Sequence, residues 1–297
     1  MRKRRSSAIS SRIRTLVFTD LDGTLLDHAS YSWAGARPAL AELRRRQIPL
    51  IFCTSKTRLE VQPLRRAMGN THPFVIENGG LIVIPPRYFA LANASQHSRT
   101  LWLGQPYPDT VQALRTIARQ TGVDVRGFHQ MSTIEIARNT GLPLKQARLA
   151  QKRQSGEPFI FQNATPSRIM RFTQLAHKLG YSLQRGGRFW HISGGCDKGL
   201  AVNTLIGFYR ASGETRVRTI GLGDSGNDLP MLRVVDRPIL MPKPDGSFDD
   251  EVTAALPHIR RFTEPGPVGW GRAVLAALQP QDHSFESEAK ERTSKRS

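Results

Sequence analysis

The chain has 297 residues, of which 39% are hydrophobic, and a formal net charge of +19. That length and apolar content can bury one large core or two smaller ones, whereas the longest apolar runs, IPLIFC and LIVI, fall far short of the roughly 18 residues of a membrane span, so no membrane role is expected. Cys53 and Cys196 are the only cysteines and neither has a metal-type spacing, which excludes a disulfide framework and a structural zinc site.

In chain order, MRKRRSSAISSRIR carries six Lys/Arg and no acid. It leads into only TLVF, too short for a signal-peptide core, so a cytoplasmic location is expected and residues 1–13 read as a basic disordered tail. From Thr15, short apolar strands alternate with amphipathic helices: TLVFTDLDGT, helix GARPALAELRRRQ, strand PLIFCTS, helix TRLEVQPLRRAMG, strand PFVIENGGLIVI. Such alternation predicts parallel βαβ units, an α/β fold whose site lies at the C-terminal ends of the strands. Residues 87–194 change character. There TVQALRTIARQTG, LKQARLAQKR and PSRIMRFTQLAHKLG read as helices and EPFIFQ and RFWHIS as strands, an inserted α/β domain between a first core part (14–86) and a second (195–279). The second part supplies helix GLAVNTLIGFYRAS, strand VRTIGLGD, helix NDLPMLRVV, strand RPILM and a last helix near GWGRAVLAAL, and 280–297 reads as a polar disordered tail. The internal arginines lie on helical segments and read as solvated faces; with no RNP, KH, zinc-finger or helix-turn-helix pattern, no specific nucleic-acid partner is expected.

Two stretches carry chemistry. In TLVFTDLDGT, Asp20 and Asp22 are two residues apart at the end of an extended strand, so both carboxylates reach the same side of the sheet edge. Like charges that close need a bridging cation or a shared proton, and both solutions serve phosphoryl transfer: one carboxylate attacks phosphorus, the other protonates the leaving oxygen. An Asx turn would account for either aspartate alone, but not for the whole D-x-D-G-T after four apolar residues. The second stretch, TIGLGDSGNDLPML, has G-x-G-x-x-G spacing at Gly221, Gly223 and Gly226, with Asp245 about 20 residues on, the pattern of a dinucleotide loop. Asp224 inside the loop contradicts that reading, because a carboxylate there repels a pyrophosphate unless a cation stands between them.

DLDGT resembles the first motif of the haloacid dehalogenase (HAD) superfamily of aspartate-nucleophile phosphatases, and three further motifs follow in order. By that resemblance Thr54 and Ser55 in PLIFCTSKT hold a phosphate oxygen, although a helix N-cap is the plain alternative. Lys198 in SGGCDKGLAV neutralises the transferring phosphoryl group, and GDSGND supplies Asp224 to an oxygen-only metal site with the Asp20 carboxylate and the Asp22 main-chain carbonyl, supported by Asn227 and Asp228. The resemblance implies Mg²⁺ as cofactor, with Asp20 as nucleophile and Asp22 as acid and then base.

The long insertion resembles the C2B cap class. CTSKTRLEV, PFVIENGG, GEPFIF, GGRFWHISGGCDKG, GLGDSGNDLPML and GPVGWGRAV are similar to the mannosyl-3-phosphoglycerate phosphatase family, over residues 14 to 278. This implies a HAD-like Rossmannoid parallel-sheet core and a small anionic sugar-phosphate substrate, mannosyl- or glucosyl-3-phosphoglycerate. Lys56, Arg58, Arg168 and Arg188 are candidates for its anionic groups, with surface ion pairing the plain alternative. Glu157 and His191 are candidates for its sugar hydroxyls, against local pairing and a core histidine. Asn78–Gly80 reads as a tight turn towards the insertion. Another capped HAD phosphatase, and a polyanion-binding protein using its basic tails, remain as alternatives.

Overall fold

The structure is a computed structural model that describes residues 13–89, 96–186, 189–214 and 216–279. Both expected tails, apart from Ile13, and Arg188 lie outside the described residues. Strands β1 (Arg14–Thr19), β2 (Leu50–Cys53), β3 (Phe74–Ile76), β4 (Leu81–Ile84) and β5 (Arg99–Trp102) come first. Next come β6 (Val125–Gly127), β7 (Glu157–Phe161), β8 (Tyr181–Arg185) and β9 (Trp190–Gly194); the chain then returns with β10 (Val217–Gly223), β11 (Arg237–Leu240) and β12 (Arg260–Arg261). They form an eight-stranded sheet in the order β12-β11-β10-β1-β2-β3-β4-β5 and a four-stranded antiparallel sheet in the order β6-β7-β9-β8.

β1 lies at the centre of the large sheet, parallel to β10 and β2, with Thr19 paired to Leu222 and to Phe52. A central parallel strand is covered on both faces, which is why it reads as an unbroken apolar run. Leu16 and Phe18 enter the layer with Ile51, Val202 and Leu205, while Val17 enters the opposite layer with Phe52 and Trp270. Trp270, in the helix Gly266–Ala277, also donates from its ring N–H to Thr19 Oγ1 at 2.9 Å, fixing the last helix to the end of β1.

Among the departures from the sequence reading, three shape the sheets. PFVIENGGLIVI is two strands, not one: Glu77 and Asn78 take left-handed φ values of 51° and 56° and reverse the chain, so β4 runs antiparallel to β3 and the sheet is mixed. β5, inside the segment expected to be inserted, pairs antiparallel with β4 and covers what would be an open edge. β8, unread in the sequence, pairs with β9 along its whole length; Tyr-Ser-Leu-Gln-Arg alternates too weakly to show. The small sheet packs Phe159, Ile192 and Leu183 against the helices Tyr107–Thr121 and Pro166–Lys178, and its other face looks towards the large sheet's C-terminal edge. Among the described residues no helix is long and apolar enough to cross a membrane.

Candidate active site

Parallel strands β1 and β10 deliver Asp20 and Asp224 to the same edge of the sheet. Asp20 immediately follows β1, and its N–H donates to Leu222 O at 2.9 Å, which extends the ladder by one bond. Lys198 is the first residue of the helix Lys198–Ala211, whose N-cap Asp197 accepts from Leu200 N–H at 2.7 Å. Its ammonium is wholly buried and donates to Asp20 Oδ1 at 2.7 Å and to Asp228 Oδ1 at 2.6 Å. Asp228 uses its other oxygen to accept the N–H groups of Asp224 and Ser225 at 3.0 and 3.2 Å. Asp224 Oδ1 accepts from Thr24 Oγ1 at 2.8 Å.

Carboxylate oxygens of Asp20, Asp224 and Asp228 lie within 4.8 Å of one another. Burial, with the negative charges of Asp228 and Asp22, pushes Asp20 up to about 7 against the pull of Lys198. Burial and the charges of Asp228 and Asp20 push Asp224 well above the ordinary carboxylate range. For Lys198 burial opposes the charge, but Asp20 and Asp228 outweigh it and hold its pKa above the usual lysine value. Two buried carboxylates and the half-buried Asp224 around one ammonium leave an excess of negative charge, and an oxygen-only donor set fits a hard divalent cation.

A cleft of about 190 Å³ opens above this group, with Asp20, Asp22, Ser55, Asp224 and Asn227 at its base and insertion residues over it. Asp22 Oδ2 pairs with Lys56 Nζ at 2.8 Å, and Asp22 Oδ1 has no hydrogen-bond partner among the described residues. Lys56 is therefore not a surface ion-pair residue: only 8% exposed, it lies between Asp22 and Glu60, whose charges outweigh burial and hold its pKa above the usual value. Nor do Thr54 and Ser55 cap the next helix. That is the work of Thr57, in a capping box with Glu60, while the buried Thr54 hydroxyl accepts from Lys56 N–H at 3.2 Å and Ser55 faces the cleft. Asn227 donates to Asn78 Oδ1 at 3.1 Å and accepts from Ser225 Oγ at 2.7 Å.

Among the candidates for substrate contact, His191 lines the cleft, and burial lowers its pKa to about 3. Arg58 instead reaches Thr100 Oγ1 at 3.3 Å, and Arg168 is exposed near the start of the helix Pro166–Lys178. Glu157 is fully buried and turned from the cleft, its oxygens taken by Tyr107 OH at 2.8 Å and by the N–H and Nδ1 of His129 at 3.0 and 2.7 Å.

Two residues that pattern reading passes over tie the insertion to this site. Glu77 is fully buried and accepts the consecutive N–H groups of Gln154, Ser155 and Gly156. Arg153 lines the cleft and donates to Ser55 O at 3.1 Å and to Gly156 O. The turn at Asn78–Gly80 is more than a tight reversal, because Gly79 has φ +97° and a Cβ there would sit 2.0 Å from Asp197 O, just ahead of Lys198. Gly223 has a parallel role: its missing Cβ would lie 2.4 Å from Asp228 Cβ, so glycine is what lets Asp228 close on the strand end.

A largely parallel core sheet with an inserted sheet over an edge carrying two aspartates, a buried lysine and a second acidic loop is the architecture of a haloacid dehalogenase-like hydrolase, and the profile of that family matches residues 17–100. A subclass IIB HAD sugar phosphatase of known structure superposes with a TM-score of 0.59 at 16% identity, covering 88% of this chain and 98% of that one. The chain is 42% identical over 270 residues to a glucosyl-3-phosphoglycerate/mannosyl-3-phosphoglycerate phosphatase of Methanococcoides burtonii, covering 89% of this chain and 97% of that protein. It is 36% identical to the protein of the same name from Persephonella marina, at the same coverage. The chain belongs to this family of phosphatases.

Proposed function

We propose that this phosphatase is a Mg²⁺-dependent phosphomonoesterase that hydrolyses mannosyl- or glucosyl-3-phosphoglycerate to the glycosylglycerate and phosphate. The observation that carries the reading is the buried Lys198 ammonium joined to Asp20 and Asp228 beneath a cleft that also holds Asp22. Asp20 attacks phosphorus in line and forms an aspartyl phosphate as the ester oxygen leaves. Asp22, kept in place by Lys56, protonates that oxygen; as a carboxylate it then takes a proton from water, which attacks the phosphorus and frees Asp20. Lys198 offsets the charge that accumulates on the phosphoryl oxygens, and Ser55 at the cleft base would hold one of them. Asp20 and Asp224 would hold Mg²⁺, which supplies Lewis-acid stabilisation of the transferring group, with Asp228 fixing the Asp224 N–H and Asn227 supporting the same loop through Ser225. The 3-phosphoglycerate specificity rests on the two named relatives. Lys56 and Arg153, both on the cleft wall, are the cations available for the glycerate carboxylate.

The test is phosphate release with Mg²⁺ from mannosyl- and glucosyl-3-phosphoglycerate beside mannose and glucose phosphates. Preference for the glycosyl-3-phosphoglycerates is expected, and preference for a simple sugar phosphate overturns the substrate. Asp20→Asn is expected to abolish turnover, and retained activity overturns the nucleophile.

A further inference from the structure

Across the small sheet, Pro158 of β7, His191 of β9 and Gln184 of β8 are directly paired neighbours. Paired positions in antiparallel strands project to the same face. Pro158 and His191 line the cleft, while the residues that alternate with them, Phe159, Ile192 and Leu183, fill the core on the other side. Gln184 is thereby committed to the cleft side with His191. Gly186, also on the cleft, leaves the ring its room, since a Cβ there would come 3.2 Å from His191 Nε2.

This pair differs from the next one on the same face of the ladder. Ser182 and Ser193 meet at 3.0 Å and both reach Cys196 O at 3.3 Å, so their hydroxyls are satisfied. Gln184 Oε1 and His191 Nδ1 are both buried without a hydrogen-bond partner among the described residues. Buried polar atoms are nearly always paired, and two unmet ones on cross-strand neighbours, of which His191 lines the cleft, mark a place where a ligand completes the bonding. Rotation about the last torsion of either side chain is easy, because those wells are broad.

The chemistry of the missing partner follows from charge. Burial and the nearby Arg153 and Lys198 keep the His191 imidazole neutral, with its pKa lowered to about 3, and the glutamine amide is neutral as well. Neither side chain offers an anion a counter-charge, and a carboxylate or phosphate cannot donate to Gln184 Oε1. A hydroxyl both donates and accepts, so it satisfies the amide oxygen and either tautomer of the imidazole. The cleft is thus divided, with Lys56 and Arg153 on its wall and Lys198 buried beneath it for phosphate and carboxylate, and a neutral pair on the insertion for hydroxyls.

We propose that Gln184 and His191 are specificity-determining residues that hydrogen-bond neighbouring hydroxyls of the substrate's sugar. This rests on the glycosyl-3-phosphoglycerate reading above. The test compares kcat/KM for mannosyl- and glucosyl-3-phosphoglycerate with that for p-nitrophenyl phosphate, which has no sugar, in wild type, Gln184→Leu, His191→Leu and His191→Gln. Each leucine variant should lower the ratio of the two specificity constants roughly tenfold, mainly through KM for the glycosyl substrate, the scale of one lost hydrogen bond. His191→Gln should recover part of the loss. Thermal midpoints of the leucine variants should hold or rise, since unmet polar atoms have been removed. An equal loss on both substrates makes the pair structural and overturns the proposal, and an unchanged ratio leaves these atoms to water and overturns it too. Wild type that hydrolyses p-nitrophenyl phosphate but neither glycosyl ester overturns the substrate reading and this inference together; wild type active on the glycosyl esters with unaffected leucine variants overturns this inference alone.

Discussion

Glu77 Oε2 accepts the N–H of Gly156 at 3.1 Å, although 79 residues separate the two. The same carboxylate takes the N–H of Gln154 and Ser155, and its own backbone N–H donates to Lys56 O at 3.0 Å. The turn after β3 therefore joins the loop that carries Lys56 to the segment that carries Arg153, one on the core and one on the insertion. Glu77→Gln would point an amide N–H₂ at backbone donors already in place. Hydrogen bonds to a charged acceptor and unmet buried donors set the scale, about 2–4 kcal/mol lost in denaturant unfolding. A loss under about 1 kcal/mol would show that the amides find other partners.

Gly79 tests the same turn from the steric side. Its φ of +97° and the 2.0 Å approach of a would-be Cβ to Asp197 O leave no room for alanine. Gly79→Ala should cost on the order of 3 kcal/mol. It should also lower kcat in whatever protein folds, because the displaced backbone is that of Asp197 and Lys198. Normal kcat in soluble Gly79→Ala protein would show that Lys198 is positioned by its helix alone.

How much of this was legible in the sequence depended on whether the signal was local. β1 was legible because a strand buried on both faces must be apolar throughout, and Asp20 and Asp22 broke that run where the sheet ends. Asp224 was legible through the conflict between its charge and the glycine spacing around it. Lys56, Glu77 and Arg153 were not, because what matters in each is a partner far along the chain: Lys56 reaches back to Asp22, Glu77 forward to 154–156, Arg153 back to Ser55. Local chemistry at ENGG predicts a turn, and it is a turn. Nothing local says that the glutamate is buried in it. Gln184 was hidden with β8, whose part-buried residues alternate too weakly to announce a strand.

Lys198 is the sole ammonium bonded to both Asp20 and Asp228 among the described residues. Lys198→Met keeps the length of the side chain and removes the charge. By the usual worth of one electrostatic contact to a transition state, kcat should fall about 10²–10³-fold. A change confined to KM would place Lys198 in ground-state binding instead.

Removing divalent metal tests the acidic group directly. Chelation should abolish turnover and Mg²⁺ should restore it. The thermal midpoint should also rise with Mg²⁺, by the equivalent of about 2.7 kcal/mol at 100 times its dissociation constant. Asp224→Asn should raise the Mg²⁺ concentration needed for half-maximal activity. Full activity in chelator would rule out the metal.

His72 supplies a pH dependence remote from the site. Its Nδ1 lies 2.7 Å from Tyr88 OH, and burial, reinforced by Arg14 and Arg65, lowers its pKa to about 4 from an ordinary 6.5. A histidine lowered on folding is neutral in both states above pH 6.5. Between 6.5 and 4 the unfolded chain takes up a proton that the folded one refuses, so its contribution to stability is whole above 6.5 and is lost as pH falls towards 4. At about 1.4 kcal/mol per pKa unit the loss from this one residue is on the order of 2–3 kcal/mol by pH 4. His72→Gln keeps a hydrogen-bonding group beside Tyr88 and cannot titrate. The gap between wild-type and His72→Gln unfolding free energies should therefore narrow or reverse in favour of the variant between pH 7 and pH 4.5. Parallel pH profiles for the two proteins would mean that His72 is protonated as readily in the fold as out of it.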